Sequence, residues 1–344
     1  MTDWSRYDES DAKVRPGRGS RPRSKRRPAH DDAIDAMVVA VDRGRYTIQT
    51  EPGVKVMAVK SRELGRRGLV VGDAVGVVGD TSGADDTLAR IVRRDERVSA
   101  LRRTADDTDT TERVVVANAD QLAIIASLKD PEPNVRMIDR CLVAGVDAGL
   151  TLLLVLTKAD LADAAELRGM YEPLGVTVIE CSIKREGGPE ADAGFQLLRT
   201  ELHGVRTVFV GPSGVGKSTL VNALVPGTDR AIGRVNDVTG RGRHTSTSSL
   251  MLEVPTGGWL IDTPGVRSFG LAHVDPSGFL LAFPDVADYA AEHCPRGCQH
   301  LSAADGCALD EWAASPEPSV AADRAVTLDS IRRLLVSRAA GDTY

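Results

Sequence analysis

No apolar run in this chain of 344 residues approaches the ~20 residues that a bilayer-spanning helix needs. The opening MTDWSRYDESDAK lacks the form of a secretion signal. A membrane or exported protein is therefore not expected, and the chain is expected in the cytoplasm. Cysteine is scarce, with five in all. In a reducing compartment so few thiols argue against a disulfide framework, and any cluster among them reads first as a metal site. Aromatic residues make up 4%, and between residues 36 and 100 Tyr46 is the only one. Stacking of bases on that segment is weakly supported.

What is present is unevenly spread. The net charge of −6 hides a run at 13–27, KVRPGRGSRPRSKRR, with eight basic side chains and no acid. The rest of the chain therefore stands eight lower, at −14. This run has almost nothing apolar to bury and is expected to be a disordered basic tail, residues 1–35, suited to neutralising phosphates. A solubilising extension without a partner is the plainer alternative. From 36 to 100 short strand-like runs follow one another (AMVVAVDRGRYTIQT, VKVMAVKS, DAVGVVGD, TLARIVRRD) with turn residues between them. They predict a small β-barrel, either an OB-fold or an SH3-like barrel, which spacing does not separate. Past residue 112 the pattern becomes α/β. Strands are expected at 121–128, 151–160 and 176–182, with helices at 134–149 and 161–173. Such alternation implies a mostly parallel sheet with ligands at the carboxyl ends of its strands.

The most informative stretch is VFVGPSGVGKSTL, 208–220. A strand, a glycine-rich loop (Gly211, Pro212, Ser213, Gly214, Val215, Gly216) and a helix opening with Lys217, Ser218 and Thr219 form a phosphate-binding loop. Its backbone amides can curl around phosphate oxygens, Lys217 can reach the β- and γ-phosphates, and Ser218 can ligate Mg²⁺. Further on, GGWLIDTPG ends a strand at Asp262 and Gly265. There a carboxylate can hold Mg²⁺ through water and an amide can sense a γ-phosphate. The loop LTKAD presents Thr157, Lys158, Ala159 and Asp160. A carboxylate at Asp160 can accept from both N1–H and the 2-amino group of guanine, a pair that adenine does not offer. ECSIK one α/β unit later suits a backbone contact near Ser182 to the guanine keto oxygen. Together they point to GTP over ATP.

CPRGCQHLSAADGC supplies Cys294, Cys298, His300 and Cys307 at the spacing C-x3-C-x-H-x6-C. Three thiolates and an imidazole fill a closed tetrahedral Zn²⁺ site of structural type. His293 is the one nearby competitor for a ligand position. Cys141 and Cys181 read as packing residues.

In small GTPases the phosphate loop usually precedes the base-reading loops, and here it follows them: the G domain is circularly permuted. With GRYTIQT, VVVANADQLAIIASL, GPSGVGKSTLVNAL, TGRGRHTSTSSL and IDTPGVRSFGL in this order, the chain resembles the RsgA family of small-ribosomal-subunit biogenesis GTPases, also called YjeQ or YloQ. The resemblance spans nearly everything from residue 36 onward. It implies a multidomain α/β protein with an OB-fold barrel (36–100), a circularly permuted P-loop GTPase domain (101–272), and a zinc-binding α-helical domain with a C-terminal helix (273–344). It also implies late maturation of the 30S ribosomal subunit as the task, with 16S rRNA, GTP and GDP as partners. The chain is expected to be a monomer. Thr157 stands where the family usually has asparagine, and Cys181-Ser182-Ile183 where it has Ser-Ala. One hydroxyl among Thr245, Ser246 and Thr247 is expected to join the Mg²⁺ shell. Val266 follows the DTPG motif where many GTPases carry the glutamine that orients the attacking water. His244 is the nearest substitute, and an rRNA-contacting or merely exposed loop histidine is the alternative. An rRNA-binding switch with negligible turnover is the other functional reading.

Overall fold

The computed structural model describes residues 30–339 apart from 43, 52, 66–67, 86, 104–112, 229–248, 264–278 and 304–305. The chain divides into Met1–Asp32 and Ala33–Tyr344, and the second unit is described below. The basic run at 13–27 lies outside the described residues.

Five strands come first: β1 (Ile34–Asp42), β2 (Arg45–Thr50), β3 (Lys55–Lys60), β4 (Ala74–Val78) and β5 (Ala89–Arg94). They pair in the order β1-β2-β3-β5-β4, and a β1–β4 pairing closes the ring. β3 and β5 run parallel while the other pairs are antiparallel. This is the five-stranded Greek-key barrel of an OB-like fold, and topology decides what spacing left open. Alternate side chains, among them Val38, Ile48, Val56, Val75, Val77 and Ile91, fill the interior. β1 begins at Ile34, inside the segment expected to be tail, because Ile34 and Asp35 already pair with Val77 and Gly76 of β4.

A two-stranded sheet, β6 (Ala100–Arg103) with β7 (Arg113–Ala117), leads into the α/β part. There the strands β8 (Gln121–Ser127), β9 (Thr151–Thr157), β10 (Thr177–Cys181), β11 (Arg206–Val210), β12 (Leu250–Glu253) and β13 (Trp259–Asp262) lie in the order β10-β9-β8-β11-β13-β12. All neighbours are parallel except β12 and β13. Every residue of β8 is buried, as a central parallel strand covered on both faces requires. One face is packed by α1 (Val135–Asp147), the other by α3 (Ala193–Glu201) and α4 (Lys217–Leu224). The helix expected over 161–173 is shorter. α2 spans Ala165–Tyr171, because Leu161–Asp163 form a turn whose Asp163 carboxylate accepts from the Ala165 amide at 2.9 Å. Pro173 then forces a single 3₁₀ turn over Glu172–Leu174.

The barrel joins this sheet through an antiparallel pairing of Ala40 with Leu250 of β12. At the same seam Asn118 donates its side-chain amide to the Gly72 carbonyl at 2.8 Å and accepts from the Val98 amide at 2.8 Å. A Cβ on Gly72 would meet the Ala117 carbonyl oxygen at 1.9 Å, so only glycine permits this approach.

The C-terminal part holds α5 (Pro284–His293), α6 (Leu309–Ala313) and α7 (Pro318–Ala339). α7 buries Leu328, Ile331, Leu334 and Leu335 on one face. It rests on α1 and the end of α2. Arg333 pairs with the buried Asp139 at 3.1 Å and lies over the Tyr171 ring, whose hydroxyl donates to Asp139 at 2.9 Å. The expected C-terminal helix is thus α7, and it packs on the α/β part.

Candidate functional site

Chain order separates the base-reading motifs from the phosphate loop by some fifty residues, and the sheet brings them together. β8, β9, β10 and β11 are parallel, so the loops leaving their carboxyl ends share one edge of the sheet. A cavity of about 690 Å³ opens there. Its walls include Thr157, Lys158, Asp160 and Ser182 from one side. The loop 211–219 closes the other, where all but Val215 line the space. Val215 is turned inward at 2% exposure and anchors the loop in the core.

The loop's shape follows from its glycines. A Cβ on Gly211 would sit 2.4 Å from the Ile125 carbonyl oxygen of β8. Gly216 has φ +90 and stands immediately before α4, with no side-chain cap on the helix end. A helix start with no side-chain cap behind a glycine-rich loop is the usual arrangement for holding an anion. Lys217 opens α4, and its ammonium lies 2.6 Å from a carboxylate oxygen of Asp262, the last residue of β13. Asp262 is 4% exposed. The next residue, Thr263, is buried and donates its hydroxyl to the Phe209 carbonyl at 3.0 Å. β11 and β13 are thereby locked together just below the phosphate loop.

Two contacts tie the base-reading side to this loop, and two more brace the base-reading side itself. Thr157 donates its hydroxyl to the Val215 carbonyl at 2.5 Å. Lys158, at φ +57, donates to the Gly214 carbonyl at 3.2 Å and to the Asp130 carbonyl. The Ala159 amide donates to the Cys181 carbonyl at 3.2 Å, so Ala159 joins two loops without lining the cavity. Asp160 is exposed and accepts from the Ser182 hydroxyl, a bond that holds its carboxyl below the usual range. Cys141 and Cys181 are buried, as packing residues should be, and burial pushes each thiol to about 12.

Two residues at this site escaped sequence reasoning. Asp130 lines the cavity in the loop after β8. Asp192, at the start of α3, accepts from the Ser182 amide at 3.0 Å and from the Phe195 amide at 2.7 Å. Its place before a helix is legible as an N-cap, but its second partner is ten residues away and has no sequence signal. Of the remaining expected site residues, Gly265 and Val266 and the run His244, Thr245, Ser246 and Thr247 lie outside the described residues.

Near the C-terminus, one ligand atom from each of Cys294, Cys298, His300 and Cys307 lies within 4.8 Å of the others. The Cys298 sulfur accepts from the His300 amide at 3.4 Å, and the Cys294 sulfur from the Ala308 amide at 3.4 Å. Such bonds stabilise thiolate charge. Burial pushes the Cys294 thiol to about 11 and lowers the His300 imidazole, which leaves the ring neutral near pH 7. A divalent cation reverses the thiol shift by deprotonating its ligands outright. His293 is not part of the cluster. It stacks on Tyr289 with ring centroids 4.1 Å apart.

A family model described as RsgA GTPase matches residues 94–272. Among curated relatives, the small ribosomal subunit biogenesis GTPase RsgA of Pseudomonas aeruginosa (strain LESB58) is 40% identical over 250 residues, 70% of this chain and 69% of that one. The protein of the same name from Azotobacter vinelandii is 39% identical over 248 residues, 70% and 68% of the two chains. Two crystal structures share the fold. YjeQ from Thermotoga maritima has a TM-score of 0.57 at 22% identity, covering 87% of this chain and 98% of the other. YloQ, described as a circularly permuted GTPase, has a TM-score of 0.58 at 20% identity, covering 90% and 98%. By both the extent of the family match and the identity to these relatives, the chain belongs to the RsgA GTPase family.

Proposed function

We propose that this chain is a GTPase that binds guanine nucleotide with Mg²⁺ in the cavity between Asp160 and the 211–219 loop and assists late maturation of the 30S ribosomal subunit, with hydrolysis stimulated by that subunit. One observation carries the nucleotide reading. The loops carrying Asp160 and Ser182 face the loop with Lys217 and Ser218 across one cavity, although the chain presents them in permuted order. The ribosomal task rests on the names of the relatives.

In this reading the amides of 213–219 and the Lys217 ammonium hold the β- and γ-phosphates, and the Asp160 carboxylate accepts from N1–H and the 2-amino group of guanine. Lys158, fixed by its bonds to two backbone carbonyls, covers the base with its stem. Ser218 and one hydroxyl of Thr245, Ser246 or Thr247 would hold Mg²⁺, with Asp262 acting through water. The ion would supply neutralisation of the phosphate charge. Gly265 would report the γ-phosphate through its amide, and His244 would orient the attacking water in place of the glutamine that Val266 replaces. The Cys294, Cys298, His300 and Cys307 set fits one structural Zn²⁺ per chain, because four soft or borderline ligands leave no position for water. A cytoplasmic monomer working on 16S rRNA completes the proposal. Among the described residues no helix is long and apolar enough to cross a membrane.

Phosphate release from GTP, measured with and without purified 30S subunits, tests the function. Slow release accelerated by the subunit is expected. Undetectable release in both arms, with GTP still bound, would establish the nucleotide-switch alternative.

A further inference from the structure

Asp192 is 8% exposed and carries a carboxylate with two separate duties. One oxygen caps α3 by accepting from the Phe195 amide at 2.7 Å, and the other accepts from the Ser182 amide at 3.0 Å. Ser182 is itself buried at 4% and donates its hydroxyl to Asp160. The three residues form a line from the helix start to the cavity wall. Backbone packing fixes its inner end: a Cβ on Gly194 would fall 1.7 Å from the Glu180 carbonyl oxygen, so α3 lies directly against the end of β10.

We infer that Asp192 is a positioning residue for base selection, which sets the Ser182–Asp160 pair in the geometry that reads guanine. The inference rests on the nucleotide reading proposed above. Three steps support it. The Ser182 hydroxyl has one proton, and donating it to Asp160 fixes one carboxylate oxygen and leaves the other to face the cavity. The Ser182 backbone is what aims that hydroxyl, and its amide is held by Asp192. Because that amide is committed, the contact to the guanine keto oxygen falls to the following amides, Ile183 or Lys184, both of which line the cavity. A residue that never touches the nucleotide thus orients both halves of the base-recognition edge.

The test is competition binding to the full-length protein with GDP, IDP and inorganic triphosphate. IDP lacks only the 2-amino group, so the GDP/IDP ratio reads the Asp160 contact. Inorganic triphosphate reads the phosphate loop alone. Asp192→Ser keeps a competent helix cap but does not reach Ser182. Loss of a hydrogen bond to a charged group is of the size that lowers affinity about tenfold. Asp192→Ser is expected to weaken GDP by about that factor and narrow the GDP/IDP ratio, with triphosphate unchanged. Ser182→Ala, which leaves the cap intact, should narrow the ratio in the same direction. If Asp192→Ser unfolds, Asp192→Asn retains one oxygen for the Phe195 amide and serves in its place. A folded Asp192 variant with the wild-type ratio overturns the inference while leaving the nucleotide reading intact. A wild type that does not prefer GDP to IDP overturns the base assignment itself, and the role of Asp192 with it.

Discussion

Thr157→Val changes shape little and removes one hydroxyl. The residue is 6% exposed, and its oxygen lies 2.5 Å from the Val215 carbonyl and 3.3 Å from that of Ala126. The shorter contact joins the end of β9 to the middle of the phosphate loop. Valine keeps the methyl that packs beside Gly216, where a Cβ would lie 3.8 Å from the Thr157 methyl carbon. What is lost is the donor, and the Val215 carbonyl is left facing an apolar group. An unmade bond of this kind costs about 1–3 kcal/mol, or about 5–150-fold in an equilibrium constant. Val215 remains anchored through its buried side chain, so the expected result is a loosened loop in a folded protein. GDP, IDP and ADP should all weaken by the same factor, about tenfold, because Thr157 holds two loops together and reads no base. Thr157→Ser retains the hydroxyl and should restore most of the affinity. Isothermal titration with the three nucleotides decides it. GDP affinity within twofold of wild type would show that the 2.5 Å contact does not organise the loop. A loss confined to GDP would place Thr157 among the base-reading groups instead.

Further outcomes follow from other parts of the molecule. Asp160→Asn exchanges an acceptor for a donor facing the base edge and should move preference from GTP toward xanthosine triphosphate. Unchanged GTP preference in competition binding would refute the base assignment. One zinc per chain should copurify, and Cys298→Ala should lose it while the phosphate loop still binds nucleotide; elemental analysis with a GDP titration reads both, and a fully folded, active, zinc-free wild type would refute the metal assignment. Burial pushes the Asp139 carboxyl up despite Arg333, so its contribution to stability is present at low pH and lost as pH rises through its folded pKa. Above that pKa, where the carboxyl is ionised, Arg333→Met removes its cation and should cost more than Asp139→Asn, about 3 against about 1 kcal/mol. Hydrogen exchange of the α7 amides measures the difference, and the reverse order would refute it.

What the sequence made legible is what is local. The phosphate loop and the Cys/His cluster each lie within fourteen residues, and their chemistry follows from residue type and spacing. The barrel was legible as a set of strands, but its kind was not, because the parallel β3–β5 pairing joins residues some thirty apart. The start of α2 was misplaced because Leu161 and Ala162 look helical, whereas Asp163 caps the Ala165 amide and begins the helix later. Its end was legible only in part: Pro173 forbids continuation, yet a 3₁₀ turn still carries the chain to Leu174. Contacts such as Thr157 with Val215 and Arg333 with Asp139 join residues 58 and 194 positions apart. No periodicity or spacing encodes them, because they depend on which loops the sheet order brings to one edge.

That sheet order also decides how the outer parts are attached to the site. Circular permutation places the chain ends of the α/β part beside β7 and β13 rather than at the phosphate loop, so a module can be joined at each without interrupting it. The barrel is held at β12, the strand at the far edge of the α/β order from β10. β12 is paired to β13, which ends at Asp262 and so at Lys217. The C-terminal helix is held elsewhere, on α1 and α2, through Asp139, Tyr171 and the Ser330 hydroxyl that donates to the Met170 carbonyl. α1 follows the loop that carries Asp130, and α2 follows the loop that carries Lys158 and Asp160. The barrel thus adjoins the phosphate side of the cavity through β12 and β13, and the C-terminal helix adjoins its base side through α1 and α2. A ligand that spans both sides contacts the footing of both modules at once, which a binder of base or phosphate alone does not.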